Sequence, residues 1–594
     1  MKDGFVRCAS ATVDIKVADT DYNTSNIIKA IEDAAQNNIK LIVFPELCIT
    51  GYTCGDLFLQ KILLDSAKDS LIKIAKATEN LDITAVVGLP YVAEQTLYNC
   101  AAVVNGGHIK GLVPKLNIPN YAEFYEVRHF TAGKNEVTYV NINGEEIPFG
   151  ANILFKTDAC EDFVLAVEIC EDLWTAMPPS VNHALAGATI IANLSASNEV
   201  IAKDEYREML VKSQSAKLYC GYIYSDAGYG ESTTDLVFAG DNMIAENGTI
   251  LARSKRFNNE CVYTELDLER LVGERKKSNT YNIVGSEKYM SVKLDMNIGD
   301  TKITRYVDKQ PFVPSDDKKR EKRSEEILSI QSLGLKKRLD HTHAKTAVVG
   351  VSGGLDSTLA LLVTVRAFDS LNIDRKNIIA VTMPCFGTTD RTYNNAVNFA
   401  NSLGVTLKEV NIKAAVNQHF ADIEHDPNVY DVTYENSQAR ERTQILMDVA
   451  NKSGGLVIGT GDMSELALGW ATYNGDHMSM YGVNAGVPKT LIRYLVDYEA
   501  KRTNNDILKK TLQDILDTPV SPELLPPKDG KISQKTEHIV GPYELHDFFL
   551  YHLMRFCSKP SKILRLAEVA FEGIYDREVI LEWLKVFYRR FFAQ

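Results

Sequence analysis

The first half of the chain alternates short apolar runs with amphipathic stretches. Apolar side chains recur at helical spacing over residues 26–39 and 60–79. Two apolar runs within 98–115 flank Asn105-Gly106-Gly107, which predicts a hairpin turn. Runs typical of buried strands occur at 5–15, 41–46, 83–92, 163–170 and 189–195. This pattern of strands, hairpins and helices continues to about Leu271.

The second half alternates strands and helices more regularly. The apolar pattern predicts helices at 324–342, 357–368 and 394–404. It predicts strands at 346–351, 377–384, 405–412 and 455–461. Strands that alternate with helices at this spacing indicate a parallel, doubly wound sheet.

Between the two halves, residues 272–325 are polar and charged and show no clear period. They include the run DDKKREKRSEE, which could be a localisation signal. A solvated linker that leads into a helix is the preferred interpretation. The pattern therefore predicts one domain over 1–275, a linker over 276–324 and a second domain over 325–594.

Composition narrows the class of protein. A chain of 594 residues is too long for one core, and its net charge of −13 argues against a nucleic-acid binder. The ten cysteines form no C-x-x-C pair, so we expect reduced thiols. No apolar run of membrane-spanning length and no signal-peptide pattern is evident, so the sequence predicts a cytoplasmic protein without membrane contact.

A glycine-containing loop follows the predicted strand 346–351 and precedes a long helix. Its glycines allow a tight turn, and the helix N-terminus adds donors for an anion. Asp356 fits beside phosphate when it holds a bridging metal ion. Glycines alone would favour an ordinary turn. The full string S-G-G-L-D-S resembles the pyrophosphate loop of ATP pyrophosphatases and makes Ser352, Gly353, Gly354, Asp356 and Ser357 candidate ATP contacts.

Three residues in the first half stand at the ends of strand-like runs. A thiolate nucleophile at Cys170 needs a nearby cation, which Lys115 could supply together with an oxyanion contact. Glu46 could accept the thiol proton. Taken singly, the cysteine could be a core thiol, the glutamate a strand-end carboxylate and the lysine a surface charge.

The strings around these residues are FPELCITGY, VPKLNIPNYAEFYEVRHF and EICEDLW. They resemble the nitrilase superfamily, which implies an α-β-β-α sandwich with Glu46 as base, Lys115 as oxyanion partner and Cys170 as nucleophile. Glu126 resembles that family's additional active-site glutamate. The resemblance also implies glutamine contacts at Tyr121, Glu171, Trp174, Ser197 and Lys203. Some relatives carry arginine where this chain has Lys203.

The pairing of the two halves on one chain is similar to the glutamine-dependent NAD⁺ synthetases. The strings QARERTQ, GTGDMSELALGWATYNGDHMSMYGVNAGVPKT and TEHIVGPYELHDFF strengthen that resemblance. It implies a carbon–nitrogen ligase that hydrolyses glutamine and passes ammonia through an internal tunnel. ATP then activates deamido-NAD⁺, which is amidated to NAD⁺ with release of AMP and pyrophosphate. ATP is the implied co-substrate and Mg²⁺ the implied cofactor.

The resemblance assigns further residues in the second half. Asp356 and Glu465 become candidates for Mg²⁺, although a glutamate at this place could also serve the helix dipole. The implied ATP contacts beyond the loop are Thr460, Lys489 and Ser521. The implied contacts of deamido-NAD⁺ are Arg440, Asp476, Lys535 and Asp547.

Two alternatives remain beside this interpretation. One is an ATP-pyrophosphatase amidotransferase with a different carboxylate acceptor, against which the C-terminal strings speak. The other is a binding module with an inactive cysteine that senses glutamine or nucleotide, against which the retained triad and loop speak. The family resemblance also implies a homo-oligomer of at least two subunits, with eight allowed.

Overall fold

The computed structural model describes residues 2–233, 236–297, 299–314, 317–518, 524–526 and 540–593. The chain divides into two units, Met1–Arg305 and Tyr306–Gln594, each with its own sheets and core. No helix in the described ranges is both long and apolar enough to span a membrane.

In its described residues, the first unit has two mixed sheets and five α-helices. The helices are α1 Thr20–Gln36, α2 Lys61–Ala77, α3 Pro179–Leu185, α4 Lys203–Leu218 and α5 Leu268–Lys277. The strands are β1 Phe5–Ala11, β2 Leu41–Val43, β3 Thr84–Ala93, β4 Thr96–Asn105, β5 His108–Pro114, β6 Thr138–Ile142, β7 Glu145–Phe149, β8 Ile153–Thr157, β9 Cys160–Ile169, β10 Ile190–Ser195, β11 Gly221–Asp226, β12 Met243–Glu246, β13 Thr249–Arg253, β14 Cys261–Asp267 and β15 Met290–Lys293. The strand orders are β14-β1-β2-β3-β4-β5-β7-β6 and β13-β12-β11-β10-β9-β8-β15.

Three apolar layers show that the first unit is an α-β-β-α sandwich, as predicted. Val43 of the first sheet and Val167 of the second belong to the same core between the sheets. Helices α1 and α2 cover the outer face of the first sheet through residues such as Ile27 and Leu71. Helices α3 and α4 cover the second sheet in the same way. The two sheets therefore bury one face against each other and one face against helices.

For the elements that the sequence predicted individually, the pattern and the structure differ mainly at the ends. The predicted hairpin is confirmed, because Gly106 and Gly107 turn between β4 and β5 with φ of 59° and 84°. Helix α1 begins at Thr20, earlier than the apolar spacing indicated. Its N-terminus is fixed by the carboxylate of Asp19, which accepts a hydrogen bond from Tyr22 N at 3.1 Å.

Part of the stretch predicted as a linker is folded against the first unit. Strand β15 pairs in parallel with β8. Arg305 forms a bidentate ion pair with the buried Glu246, at 2.9 and 3.0 Å between guanidinium nitrogens and carboxylate oxygens. Glu265 accepts hydrogen bonds from Thr304 N and Arg305 N. These polar contacts order a segment that has no apolar period.

The described part of the second unit has one five-stranded sheet with helices on both faces. Its strands are β16 Thr346–Gly350, β17 Ile378–Thr382, β18 Thr406–Glu409, β19 Gly455–Gly459 and β20 Tyr481–Gly482. Its helices are α6 Asp317–Thr342, α7 Leu355–Leu371, α8 Asp390–Leu403, α9 Lys413–Asp422, α10 Val432–Ser453, α11 Met463–Leu468, α12 Lys489–Arg502, α13 Asp506–Leu516, α14 Tyr543–Phe556, α15 Pro560–Ala570 and α16 Arg577–Ala593.

All strand pairs of this sheet are parallel, in the order β18-β17-β16-β19-β20. One face packs against helices including α7, α12 and α13, and the other packs against α9 and α10. The structure thus confirms the doubly wound sheet. The strand order reverses at β16, and the carboxyl ends of β16 and β19 border the crevice where such folds bind ligands.

Candidate active sites

Four residues predicted for the first site lie in one buried group. Glu46, Lys115 and Cys170 follow β2, β5 and β9, and Glu126 begins a short 3₁₀ turn. Lys115 Nζ lies 2.6 Å from Glu46 Oε1 and 2.8 Å from both carboxylate oxygens of Glu126. Lys115 is fully buried, and the other three are at most 6% exposed.

The charges of this group control one another. Burial favours the neutral amine, yet the carboxylates of Glu126 and Glu46 raise the pKa of Lys115 well above its usual value. Burial raises the pKa of Glu126 to about 7 despite the attraction of Lys115. Burial and the Glu46 carboxylate raise the pKa of the Cys170 thiol, against the opposing effect of Lys115. The thiol therefore needs a base as well as a cation to become a nucleophile.

The thiol of Cys170 sits on a strained turn that is fixed by a neighbouring carboxylate. Cys170 has φ of 44°, in the left-handed region that non-glycine residues rarely adopt. Asp172 accepts a hydrogen bond from Ile169 N at 3.0 Å and another from Asn117 N at 2.9 Å. Asp172 thus links the turn after β9 to the loop that carries Lys115.

Two residues of this site were not found from the sequence. Asn99 Nδ2 donates to Glu46 Oε1 at 2.6 Å, and the Tyr52 hydroxyl donates to Glu126 Oε1 at 2.8 Å. Glu46 Oε2 is buried without a hydrogen-bond partner among the described residues. One oxygen of Glu46 is therefore held in place, and the other is available as a proton acceptor. Tyr52 ends the string FPELCITGY, so the sequence could have indicated it as a site residue. Asn99 lies within a strand, where no sequence feature indicates a role in the site.

The predicted glutamine contacts lie on the loops around the thiol. The Tyr121 hydroxyl donates to both oxygens of Glu171 at 3.0 Å. Lys203 Nζ lies 5.2 Å from the centroid of the Trp174 ring. Ser197 is buried, and its backbone N–H donates to Asp226 at 2.8 Å. These contacts are compatible with a charged, aromatic pocket beside Cys170.

Beneath this site, strand β9 carries a buried acid that the sequence did not single out. Glu168 lies two residues before Cys170 and accepts hydrogen bonds from the Tyr222 hydroxyl and from Ser180 N. No cation is hydrogen-bonded to it in the described part of the chain. Burial raises its pKa from 4.5 to about 7.

The raised pKa of Glu168 predicts a stability that falls with pH. The folded state holds the proton more tightly, so this contribution is complete below pH 4.5 and is lost as pH rises through about 7. Relative to Glu168→Gln, the wild-type free energy of unfolding should fall by about 3 kcal/mol from pH 5 to 8. Calorimetry of both proteins across this range measures the difference. The exposed Glu161→Gln, on the same strand, should follow the wild type; equal pH dependence in all three would contradict the prediction.

The loop in the second unit has the geometry of an anion cradle. Gly353 has φ of 84°, and a Cβ there would lie 2.2 Å from Thr392 O, so only glycine fits. Gly354 precedes the first residue of α7, whose N-terminus points its free N–H groups at the loop. Ser357 Oγ lies 3.3 Å from Ser352 Oγ. The loop therefore presents backbone donors and two hydroxyls at the end of β16.

Three carboxylates surround one ammonium at the edge of this loop. Lys489 Nζ lies 2.8 Å from Asp356 Oδ2, 2.5 Å from Asp462 Oδ2 and 2.8 Å from Glu465 Oε1. One oxygen of each acid lies within 4.8 Å of the others. Burial raises the pKa of Asp462 to about 7 and also raises that of Glu465. Asp462 was missed from the sequence, although it stands in the string GTGDMSE.

A cavity of about 450 Å³ opens beside the loop and the three acids. Thr460 and Asp476 are part of its lining, as are Arg442 and Trp470. Arg440 is exposed, and its Nε donates to Tyr473 O at 3.1 Å. The predicted residues Ser521 and Lys535 lie outside the described residues.

Asp547, a predicted contact of deamido-NAD⁺, lies at the junction of three helices. It is 1% exposed, and its oxygens accept hydrogen bonds from the Ser464 hydroxyl, Thr490 N and the Thr490 hydroxyl. These contacts join α11, α12 and α14. Asp547 therefore joins the helices that carry Glu465 and Lys489.

The chain resembles known proteins over both units. The family described as carbon-nitrogen hydrolase matches residues 7–276, and the family described as NAD synthase matches residues 327–570. The glutamine-dependent NAD(+) synthetase of Mycobacterium tuberculosis is 39% identical over 99% of this chain and 92% of its own length. That of Aquifex aeolicus is 29% identical over 93% and 90%.

Among solved structures, the glutamine-dependent NAD(+) synthetase from Cytophaga hutchinsonii covers 99% of this chain and 92% of its own. Its sequence identity is 24% and its TM-score is 0.41. The sequence relatives establish the family, because 39% identity extends over nearly the whole of both chains. The chain belongs to the glutamine-dependent NAD⁺ synthetases.

Proposed function

We propose that the two sites of this chain act in sequence, the first releasing ammonia from glutamine and the second using it to convert deamido-NAD⁺ to NAD⁺. The proposal rests on the observation that one chain contains both a buried thiol–lysine–carboxylate group and a phosphate loop beside three carboxylates. Residues 1–275 form the proposed glutaminase, 276–324 the connection and 325–594 the synthetase. ATP is consumed in the second site and leaves as AMP and pyrophosphate.

In the glutaminase, Cys170 Sγ attacks the amide carbon of glutamine while Glu46 Oε2 accepts the thiol proton. Lys115 stabilises the negative charge that forms on the amide oxygen. The C–N bond breaks, the proton passes from Glu46 to the leaving nitrogen, and ammonia departs from a γ-glutamyl thioester. Water, deprotonated by Glu46, hydrolyses the thioester to glutamate and restores the thiol.

The neighbouring residues position the reacting groups and the substrate. Glu126 accepts two hydrogen bonds from Lys115 and keeps it cationic and fixed. Glu171 pairs with the α-amino group of glutamine, and Lys203 with its α-carboxylate. Tyr121, Trp174 and Ser197 complete the pocket. Lysine supplies a point charge where an arginine would offer a bidentate contact.

The donor set of the second site fits Mg²⁺. Three carboxylates share one ammonium, which leaves negative charge for a second cation, and oxygen ligands are those that Mg²⁺ prefers. We assign Asp356, Glu465 and, in addition, Asp462 as its ligands. When bound, Mg²⁺ would withdraw charge from the phosphates of ATP. Lys489 would then face the same phosphates.

In the synthetase, a nicotinate carboxylate oxygen attacks the α-phosphorus of ATP, and the bond to pyrophosphate breaks. Pyrophosphate is received by the loop of Ser352, Gly353, Gly354 and Ser357. Ammonia attacks the adenylated carboxyl carbon, loses a proton and displaces AMP. Thr460 and Ser521 are further proposed ATP contacts. Arg440, Asp476, Lys535 and Asp547 are proposed contacts of deamido-NAD⁺.

The transfer of ammonia completes the proposal. Free ammonia would be protonated near neutral pH and lost to solvent, so we propose an internal tunnel between the sites. We also propose an assembly of at least two subunits, up to eight, and a cytoplasmic location, where ATP and reduced thiols are found.

The proposal is tested with purified protein, ATP, Mg²⁺, deamido-NAD⁺ and either glutamine or ammonium. We expect NAD⁺ from both nitrogen donors, with one AMP released for each NAD⁺. Omission of deamido-NAD⁺ should stop AMP release. AMP release with another carboxylate, such as aspartate, and none with deamido-NAD⁺ would instead establish the amidotransferase alternative.

A further inference from the structure

The C-terminal helix α16 places one cation in the lining of the synthetase cavity. Arg590, three residues before the last described residue, lines this cavity together with Glu465, Trp470 and Asp476. Its guanidinium carbon lies 5.2 Å from the centroid of the Trp470 ring. The side chain is half-buried, and burial together with Arg589 lowers its pKa.

Arg590 differs from the other cations of the cavity in its partners. Lys489 is surrounded by three carboxylates, and Arg442 Nε donates to Met383 O. Within the described ranges, Arg590 has a cation–π contact with Trp470 and electrostatic interactions with Arg589, Tyr543 and His546, and no ion pair with a carboxylate is found for it. A cation–π contact uses no N–H donor, so the guanidinium keeps its hydrogen-bonding capacity. A half-buried cation without an acid is suited to an anionic ligand.

The wall of the cavity beside Arg590 is the one proposed for the dinucleotide. Trp470 is followed by Thr472 and Asp476, which also line the cavity. Arg440 contacts the same segment from outside through Tyr473 O. The phosphates of ATP have donors other than Arg590 in the proposed function. These are the loop 352–357, at the carboxyl end of β16, and Lys489, at the N-terminus of α12.

We infer that Arg590 binds an anionic group of deamido-NAD⁺, a phosphate or the nicotinate carboxylate. The inference rests on the proposed function, because it assigns the residue to the second substrate of that reaction. A guanidinium matches either group with two parallel N–H donors. Trp470 would hold the guanidinium in place without neutralising it.

The test uses the full chain with ammonium as nitrogen donor, so that the glutaminase does not contribute. Arg590→Gln should raise KM for deamido-NAD⁺ about 10- to 100-fold, the effect of losing hydrogen bonds to a charged group. KM for ATP should stay within about twofold. Arg590→Lys should give an intermediate KM, because it keeps the charge and loses the fork. Arg589→Gln is the matched control, since Arg589 is the exposed neighbour on the same helix.

Direct binding separates an affinity effect from a folding defect. Calorimetric titration with deamido-NAD⁺ should show the same loss of affinity in Arg590→Gln, with the melting temperature unchanged. An unchanged KM for deamido-NAD⁺, or equal increases for both substrates, would overturn the inference. If Arg590→Gln does not fold, the inference is judged on Arg590→Lys, by comparing its KM for deamido-NAD⁺ with its KM for ATP. Failure of the wild type and Arg589→Gln to make NAD⁺ would instead reject the proposed function.

Discussion

Replacement of Cys170 by alanine is expected to abolish NAD⁺ synthesis from glutamine while synthesis from ammonium continues. The loss should be on the order of 10⁴- to 10⁶-fold, the range observed when a catalytic nucleophile is removed. Glu46 and Lys115 cannot replace the thiol, because the thioester step needs a covalent partner for the acyl group. Both routes are measured as NAD⁺ formed from deamido-NAD⁺ and Mg-ATP.

A second cysteine supplies the control for this variant. Cys261 is exposed on β14 of the same unit, so Cys261→Ala should keep both routes. Cys170→Ala removes one buried sulfur atom and no charge that the fold depends on, so the melting temperature should fall by no more than about a few degrees. If Cys170→Ala loses both routes in a folded protein, or loses neither, the division of labour between the sites is wrong.

Glu46, Lys115 and Cys170 stand out in the sequence because each ends an apolar run, but their roles were predicted from the resemblance of the surrounding strings to a known family. Buried strands are apolar along their length. Glu46, Lys115 and Cys170 are therefore conspicuous at the points where three such runs end. The sandwich then brings the ends of strands from two sheets together. The distances among Glu46, Lys115 and Cys170 depend on how the sheets pack, and the spacing of apolar residues along the chain does not give this information.

Other contacts of the sites depend on the fold in ways the sequence hides. Asn99 lies inside β4 and reaches Glu46 only because the first sheet places β4 next to β3, the neighbour of β2. Helix packing gives Asp547 two hydroxyl partners that the local sequence does not indicate. The apolar pattern does not predict strand β15, because the strand is short and none of its residues is buried. Such features follow from tertiary contacts and not from local spacing.

Asp462 was hidden for a different reason, since its position has a simple local explanation. It is the N-cap of α11 and accepts a hydrogen bond from Glu465 N at 2.9 Å, which is reason enough for an aspartate there. The structure adds a second role, because its other oxygen lies 2.5 Å from Lys489 Nζ. One carboxylate thus fixes the helix and contributes charge to the site.

Asp462→Asn separates these two roles, because asparagine also caps helices well. The helix should therefore remain, while one negative charge is lost from the group of Asp356, Asp462 and Glu465. We expect NAD⁺ synthesis from ammonium to fall on the order of 10²- to 10³-fold, as when one stabilising group is removed from an electrostatic site. Binding of Mn²⁺, measured by electron paramagnetic resonance with ATP present, should weaken in parallel.

A matched aspartate distinguishes loss of the site from a general effect of charge. Asp506 is exposed in the first turn of α13, so Asp506→Asn should retain Mn²⁺ binding and synthesis. Glutamine hydrolysis without ATP should persist in both variants, because Cys170 lies in the other unit. Normal Mn²⁺ binding by Asp462→Asn with full synthesis would show that Asp462 serves the helix alone. Asp356 and Glu465 would then have to carry the cation, with Lys489 as their only buried counterion among the described residues.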